Sequence, residues 1–276
     1  MTQLCEKNLA LRGIMELIFI GLAAFITSGV TFFSGFGLGT ILMPAFALFF
    51  PLPLAIAATA IVHFANNIFK FALMAKLADW RIVARFSIPA AMGAMVGAAF
   101  LTHLGQLPIL VSYHFASSLH EITSLKIVIG LLIIIFALVE LWPHFQQRIT
   151  IPLKWLPVGG ILSGFIGGLS GNQGALRSMF LIKAGLSKEA FISTSIVSAV
   201  IVDAARLFVY GTSFLQSYFF SSQEKLLLPI TVGIGCAFLG SLGGIYFLQK
   251  VTFHIVQIIV VVLLLFVGVG LITGLL

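Results

Sequence analysis

The sequence is poor in charged residues and in cysteine, and each shortage excludes a class of protein. Only 8% of its 276 residues are Asp, Glu, Lys or Arg, and 60% are hydrophobic, whereas soluble globular proteins carry about 25% charged residues. Its two cysteines support neither a disulfide framework nor a cysteine metal site. No run of basic residues is longer than two, so we expect no nucleic-acid partner.

Motifs for catalysis are also missing from the sequence. It contains no nucleophile–base motif, no phosphate-binding loop and no pair of intramembrane carboxylates. His114 and His120 are six residues apart, which is a poor spacing for a helical metal site. We therefore expect a protein that is not an enzyme and that needs no cofactor, no metal and no nucleotide.

What the sequence has instead is a series of apolar segments, several of them close to the ~20 residues that a membrane-crossing helix needs. They predict an all-α, polytopic membrane protein with about eight to ten membrane segments. The net charge of +7 is typical of basic cytoplasmic loops and also favours an anionic substrate. We expect a multi-pass protein of the cell membrane, which in a bacterium is the inner membrane.

Two glycine-rich joints interrupt these segments. The first joint covers residues 34–40 (SGFGLGT) and the second covers residues 167–174 (GGLSGNQG). Glycine destabilises a helix by ~1 kcal/mol relative to alanine, and it lets the backbone approach a ligand closely. Each joint therefore predicts a broken helix or a re-entrant segment.

The same order of segments occurs twice along the chain. Each joint precedes a short apolar segment, a turn and a long helix, and Thr59 aligns with Thr194 as Pro89 does with Pro229. We predict an internally duplicated helix bundle with repeats at 14–142 and 157–276. Matching broken segments in two halves are the best sequence indication of a transporter binding site. Whether the repeats are parallel or inverted stays open at this stage.

Two polar stripes lie within long apolar segments, one in each half. Polar groups at membrane depth are costly, so they usually face a protein interior or a watery path. Two stripes therefore indicate a transporter or a channel rather than an anchor. At helical spacing, the first stripe is His63, Asn66, Asn67 and Lys70, and the second is Ser195, Asp203, Arg206 and Tyr210.

Several of these residues allow two interpretations. Asp203 and Arg206, at i and i+3, predict an internal ion pair, with a proton or substrate gate as the alternative. Lys70 is close enough to its helix end to reach the membrane surface instead of a substrate. Arg177 follows the second joint by one turn, so it either joins an anion site at a helix start or extends to the surface.

The motifs around the joints resemble those of a known family. They are Gly35-Phe36-Gly37-Leu38-Gly39 with Pro44, then Asp79-Trp80-Arg81, and in the second half Gly167–Gly174. In these residues the chain is similar to the TauE/SafE family of sulfite-exporter-like transporters over about residues 14–276. The resemblance implies transport of small anions, often sulfur oxyanions or organosulfonates, without a cofactor. Leu38 and the sequence Ser170–Gly174 depart from the family pattern, so the particular substrate is not carried over.

These observations and the resemblance predict a secondary transporter of a small anion, a sulfur oxyanion, an organosulfonate or an organic acid, that works by alternating access around the two joints. A passive anion channel and a non-transporting membrane assembly partner are the alternatives. The expected partners are the anion and the lipid bilayer, and homo-oligomerisation is left open. The predicted substrate-binding residues are Gly35, Gly37, Gly39, Thr40, His63, Asn66, Asn67, Lys70, Asn172, Gln173, Gly174, Arg177, Ser195, Asp203 and Arg206.

Overall fold

The structure, a computed structural model, describes residues 2–30, 38–115, 118–140, 152–182, 184–247 and 253–276. Within these ranges the chain is a helix bundle with a small β-hairpin. The helices are α1 (Thr2–Val30), α2 (Leu38–Ala47), α3 (Leu52–Met74), α4 (Trp80–Gly105), α5 (Ser124–Glu140), α6 (Leu156–Ser170), α7 (Gly174–Ile182), α8 (Lys188–Tyr210), α9 (Gln216–Phe247) and α10 (Phe253–Thr273). The hairpin strands are β1 (Ile109–Phe115) and β2 (Ser118–Thr123).

Short irregular helices complete the connections between these elements. A 3₁₀ turn at Ala75–Leu77 follows α3, and another at Leu153–Trp155 precedes α6. A π-helical stretch at Gly211–Leu215 joins α8 to α9. Helix α9 follows this stretch directly and begins at Gln216.

The length and composition of the helices confirm the predicted all-α polytopic membrane class. Among the described residues, four helical stretches are long and apolar enough to cross a bilayer: Leu52–Leu77, Trp80–Gly105, Lys188–Ser213 and Leu226–Gly244. Shorter apolar helices cover Gly13–Gly29, Leu38–Ala47, Ser124–Val139 and Val261–Thr273. The outer face of α4 shows why such helices need lipid, because Ile88, Met92 and Val96 are all exposed.

Polar caps fix where the long helices begin. The carboxylate of Asp79 accepts hydrogen bonds from the backbone N–H groups of Arg81 and Ile82 at the start of α4. The hydroxyl of Ser187 accepts one from Ala190 at the start of α8. Both side chains satisfy N–H groups that a helix leaves unbonded in its first turn.

Small residues allow the helices to pack closely against one another. The most extensive pairs are α4 with α6, α1 with α9, α4 with α8, α5 with α10, and α3 with α8. Between α4 and α6, a Cβ atom on Gly97 would lie 2.0 Å from the carbonyl oxygen of Phe165, and one on Gly164 would lie 1.9 Å from that of Ala90. Packing of this kind, in which small residues bring two backbones together, is typical of membrane helices.

The predicted apolar helices do not include the hairpin, which lies within residues 104–124. Strands β1 and β2 pair antiparallel, and they contact the C-terminal end of α10. Tyr113 donates a hydrogen bond of 2.5 Å to the carbonyl oxygen of Thr273, and Nδ1 of His120 lies 3.2 Å from that of Gly274. A second difference is that α1 begins at Thr2, whereas composition places the first apolar segment from Ile14 onward.

Candidate functional site

The two polar stripes meet where α3 packs against α8. His63 on α3 donates a hydrogen bond from Nδ1 to Oδ2 of Asp203 on α8, over 2.6 Å. The amide nitrogen of Asn67 lies 2.9 Å from the same His63 nitrogen and 3.4 Å from Oδ2 of Asp203. The contact therefore joins one predicted site residue from each half of the chain.

Asp203 is the centre of this cluster. Its Oδ1 atom accepts hydrogen bonds from Arg206 Nε at 3.0 Å and from Gln173 Nε2 at 3.0 Å. The NH2 atom of Arg206 lies 2.7 Å from the same oxygen, and both side chains are fully buried. The predicted ion pair between Asp203 and Arg206 is thus confirmed, and Gln173 links it to the second joint.

The second joint contacts both members of this ion pair, through Gln173 and Gly167. The last residue of α6 is Ser170, and Gly171 follows it as the C-cap. Gly171 adopts the left-handed conformation, with φ of 82°, that favours glycine. Arg206 donates from NH1 to the carbonyl oxygen of Gly167 over 3.1 Å, and the hydroxyl of Tyr210 donates to that of Gly168. A cation at the C-terminal end of a helix is favoured because the free carbonyls there carry partial negative charge.

Arg177 and Lys70 are buried in the protein rather than directed to its surface. Arg177, on α7, is 2% exposed, and its Nε atom donates to Oγ of Ser195 on α8 over 2.9 Å. Lys70, near the end of α3, is 5% exposed. Both side chains are thus enclosed by the protein, and their role as substrate contacts stays a prediction.

Asn172 occupies the middle of the second joint. Its side chain is 4% exposed, and neither its amide oxygen nor its amide nitrogen has a hydrogen-bond partner among the described residues. Burying an amide without a hydrogen bond is costly. Asn172 is therefore a polar group that a ligand at the joint would satisfy.

The first joint reaches the second through Gly39. A Cβ atom on Gly39 would lie only 2.9 Å from the carbonyl oxygen of Gly171. Thr40, the next residue, is half-buried. In the second joint, Gly174 is the first residue of α7. Gly35 and Gly37, predicted as binding residues of the first joint, lie outside the described residues.

Asn66 forms a separate cluster, although it lies on the predicted stripe. Its amide nitrogen donates to Oγ of Ser28 on α1 over 3.0 Å, and its amide oxygen accepts from Oγ of Ser241 on α9 over 2.8 Å. The two serine oxygens are themselves 2.6 Å apart. Both ends of the Asn66 amide are thus occupied by side chains of other helices.

The site as a whole carries an excess of buried positive charge. Lys70, Arg177 and Arg206 are buried, and Asp203 is the one buried carboxylate among the described side chains. A buried charge is costly unless an opposite charge accompanies it. The arrangement therefore suits an anion, and no three His, Cys, Asp or Glu side chains in the described ranges converge on a metal site.

Comparison with known families agrees with this geometry. A family model described as "Sulfite exporter TauE/SafE" matches residues 17–271. The chain belongs to this family. TauE/SafE proteins are membrane transporters of sulfur-related anions rather than enzymes. No curated protein and no solved structure matches the chain.

Sequence reasoning missed some of the residues that this TauE/SafE protein brings to the cluster. Tyr210 lies on the predicted stripe, but it is not among the predicted binding residues. Ser163 on α6 donates to the carbonyl oxygen of Gln173 over 3.0 Å and so holds the second joint in place. A single buried serine in a glycine-rich helix carries no signal that distinguishes it from an ordinary packing residue.

Proposed function

We propose that this protein is a secondary transporter of a small sulfur oxyanion or organosulfonate, and that the anion binds at the second joint. The observation that carries the proposal is that three basic side chains, Lys70, Arg177 and Arg206, are buried, whereas Asp203 is the one buried carboxylate among the described side chains. An anion bound there would bring negative charge into a site that lacks it. Sulfonate and sulfur oxyanions accept several hydrogen bonds from guanidinium groups, which favours arginine over lysine as the main contact.

The binding residues that we propose lie in the second joint and next to it. Arg177 supplies charge-assisted hydrogen bonds, Asn172 supplies its buried amide, and the start of α7 at Gly174 supplies backbone N–H groups. Gln173 and Arg206 connect this position to Asp203. The remaining members of the proposed site are Gly35, Gly37, Gly39, Thr40, His63, Asn67, Lys70 and Ser195, and Asn66 takes part by holding α3 against α1 and α9.

We further propose that residues 14–142 and 157–276 are two repeats that move relative to each other during transport. The helix pairs support this, because α1 and α6, which precede the two joints, pack on α9 and α4 of the opposite half. The pairs α3–α8 and α5–α10 likewise join corresponding helices of the two halves. A site between two such units can open to either side of the membrane in turn, which is alternating access.

Counterflow in proteoliposomes tests this proposal. The purified protein is reconstituted with sulfite, thiosulfate, sulfoacetate or a small carboxylate inside, and uptake of the same labelled anion from outside is followed. We expect at least one sulfur-containing anion to be taken up faster when the same anion is present inside. Flux without this stimulation would indicate a passive channel. Absence of flux for every anion would indicate a non-transporting membrane partner.

A further inference from the structure

The hydrogen bond between His63 and Asp203 joins two titratable side chains in the protein interior. Asp203 is fully buried and His63 is 8% exposed. The charged or titratable groups that act on them are Arg206 and Tyr210 from α8 and Arg177 from α7, and Lys70 lies two turns further along α3 from His63. Anion binding by the cations leaves unexplained why a histidine is placed on the one buried carboxylate of the described residues.

We propose that His63 and Asp203 bind the proton whose movement drives the anion, so that one proton and one anion cross the membrane in the same direction. This inference rests on the proposed transport function and assigns its coupling ion. The proton adds to Nε2 of the neutral imidazole, whose Nδ1 proton already points at Asp203. The proton comes from a hydronium ion of the bulk water, whose O–H bond breaks as the N–H bond forms and which leaves as water, and the imidazolium and the carboxylate then form a neutral pair.

The contacts of Asp203 explain how the anion and the proton are coupled. Its Oδ1 atom accepts from Gln173 and Arg206, which border the proposed anion position, while its Oδ2 atom accepts from His63. An anion that binds beside these donors adds negative charge next to the carboxylate. Nearby negative charge favours the protonated form of a base. By linkage, the proton on His63 strengthens anion binding by the same factor.

The location of the pair also suits a carrier that opens to each side in turn. His63 belongs to the first half and Asp203 to the second, so the hydrogen bond crosses the boundary between the two proposed repeats. A proton that neutralises the pair changes the interaction between the halves as well as the affinity for the anion. Loading of both ligands and movement of the halves are thus linked through one contact.

The experiment uses thiosulfate and sulfoacetate, which are fully ionised near neutral pH, so a pH gradient does not change the charge of the probe. Proteoliposomes contain a trapped pH-sensitive dye, and the membrane potential is clamped at zero with valinomycin and equal potassium on both sides. With a gradient of one pH unit, acid outside, one proton per anion accumulates the labelled anion about tenfold, and the dye reports acidification that requires the anion.

Two variants locate the proton. His63→Gln keeps a polar side chain but cannot form an imidazolium, so we expect counterflow at equal pH to continue at a lower rate while accumulation driven by the pH gradient is lost. His103→Gln is the matched control, because His103 is exposed near the end of α4 and lies outside the cluster. We expect this control to accumulate the anion as the wild-type protein does.

Each result separates this inference from the function on which it rests. Wild-type counterflow without accumulation or proton uptake overturns proton coupling and leaves anion transport standing. Accumulation by His63→Gln equal to that of the wild-type protein shows that the proton binds elsewhere and overturns the assignment. Absence of counterflow in the wild-type protein overturns the transport function and this inference with it. The wild-type measurements decide whether a proton is coupled to the anion even if His63→Gln does not fold.

Discussion

The backbone at Gly39 contacts the backbone at Gly171 so closely that a Cβ atom on Gly39 would lie 2.9 Å from the carbonyl oxygen of Gly171. This contact joins the end of the first joint to the end of α6. Real Cβ atoms essentially never approach an oxygen this closely, so any side chain at position 39 must push the two joints apart.

The first prediction follows from this contact. Gly39→Ala should lower transport strongly and lower the amount of folded protein moderately, since overpacking typically costs about 1–3 kcal/mol. Gly235→Ala is the control, because the space around Gly235 on α9 is open and alanine favours a helix by about 1 kcal/mol. Fluorescence-detected size-exclusion chromatography measures folded protein, and counterflow measures transport. Normal transport by Gly39→Ala would show that the joints tolerate separation.

The second prediction concerns Arg177. Arg177→Ala should raise the apparent KM for the anion roughly tenfold to more than a hundredfold, because losing a hydrogen bond to a charged group costs about 1.5–3 kcal/mol. The amount of folded protein should change little. Arg81→Ala removes an arginine that is exposed in the first turn of α4 and serves as the control. An unchanged KM in Arg177→Ala would remove this residue from the binding site.

The third prediction concerns the buried ion pair. Asp203→Asn should express poorly, because it leaves Arg206 without a counterion, and breaking a buried pair costs about 3–5 kcal/mol. Adding Arg206→Gln removes the uncompensated charge and should restore much of the folded protein. Thermal stability of the detergent-purified variants compares them. If the double variant is no more stable than Asp203→Asn, the unpaired charge of Arg206 is not what destabilises the single variant.

The fourth prediction contrasts two buried asparagines. Asn66→Ala should destabilise the protein by about 1–3 kcal/mol, since it leaves Ser28 and Ser241 without their amide partner. Asn172→Ala should leave stability nearly unchanged and weaken anion binding, because its amide groups bond to no described residue. The paired measurements are melting temperature and the KM of counterflow. A loss of stability in Asn172→Ala with an unchanged KM would assign Asn172 to folding instead.

Helical spacing was sufficient to find most residues of the candidate site, but it did not give their partners. The positions of His63 and Asp203 on apolar helices predict that both face the interior, since polar groups avoid lipid. Their contact with each other depends on how α3 packs against α8, which is a long-range property that spacing within one helix does not contain. The pair Asp203–Arg206 could be predicted because both residues lie on one helix, at i and i+3.

Asn66 and the hairpin show where sequence reasoning reached its limit. Asn66 is adjacent to Asn67, and successive helical residues point about 100° apart, so the first faces α1 and α9 while the second faces His63. The hairpin had a local signal in the β-branched and aromatic residues Ile109, Val111 and Tyr113. That signal is weak, because the two strands are short and lie between two long apolar helices.

The pairing of α1 with α9 has a consequence for the biosynthesis of the protein. Helix α1 is synthesised before α9, so the surface of α1 that contacts Gly240 and Gly244 remains without its partner until α9 has been made. The first half of the chain therefore enters the bilayer before the helix that packs on α1 has been made. If the chain is divided between α5 and α6 and the two halves are translated separately, α1 and α9 must likewise pack together after both have been made. We expect co-expression of both halves to assemble a protein that neither half forms alone.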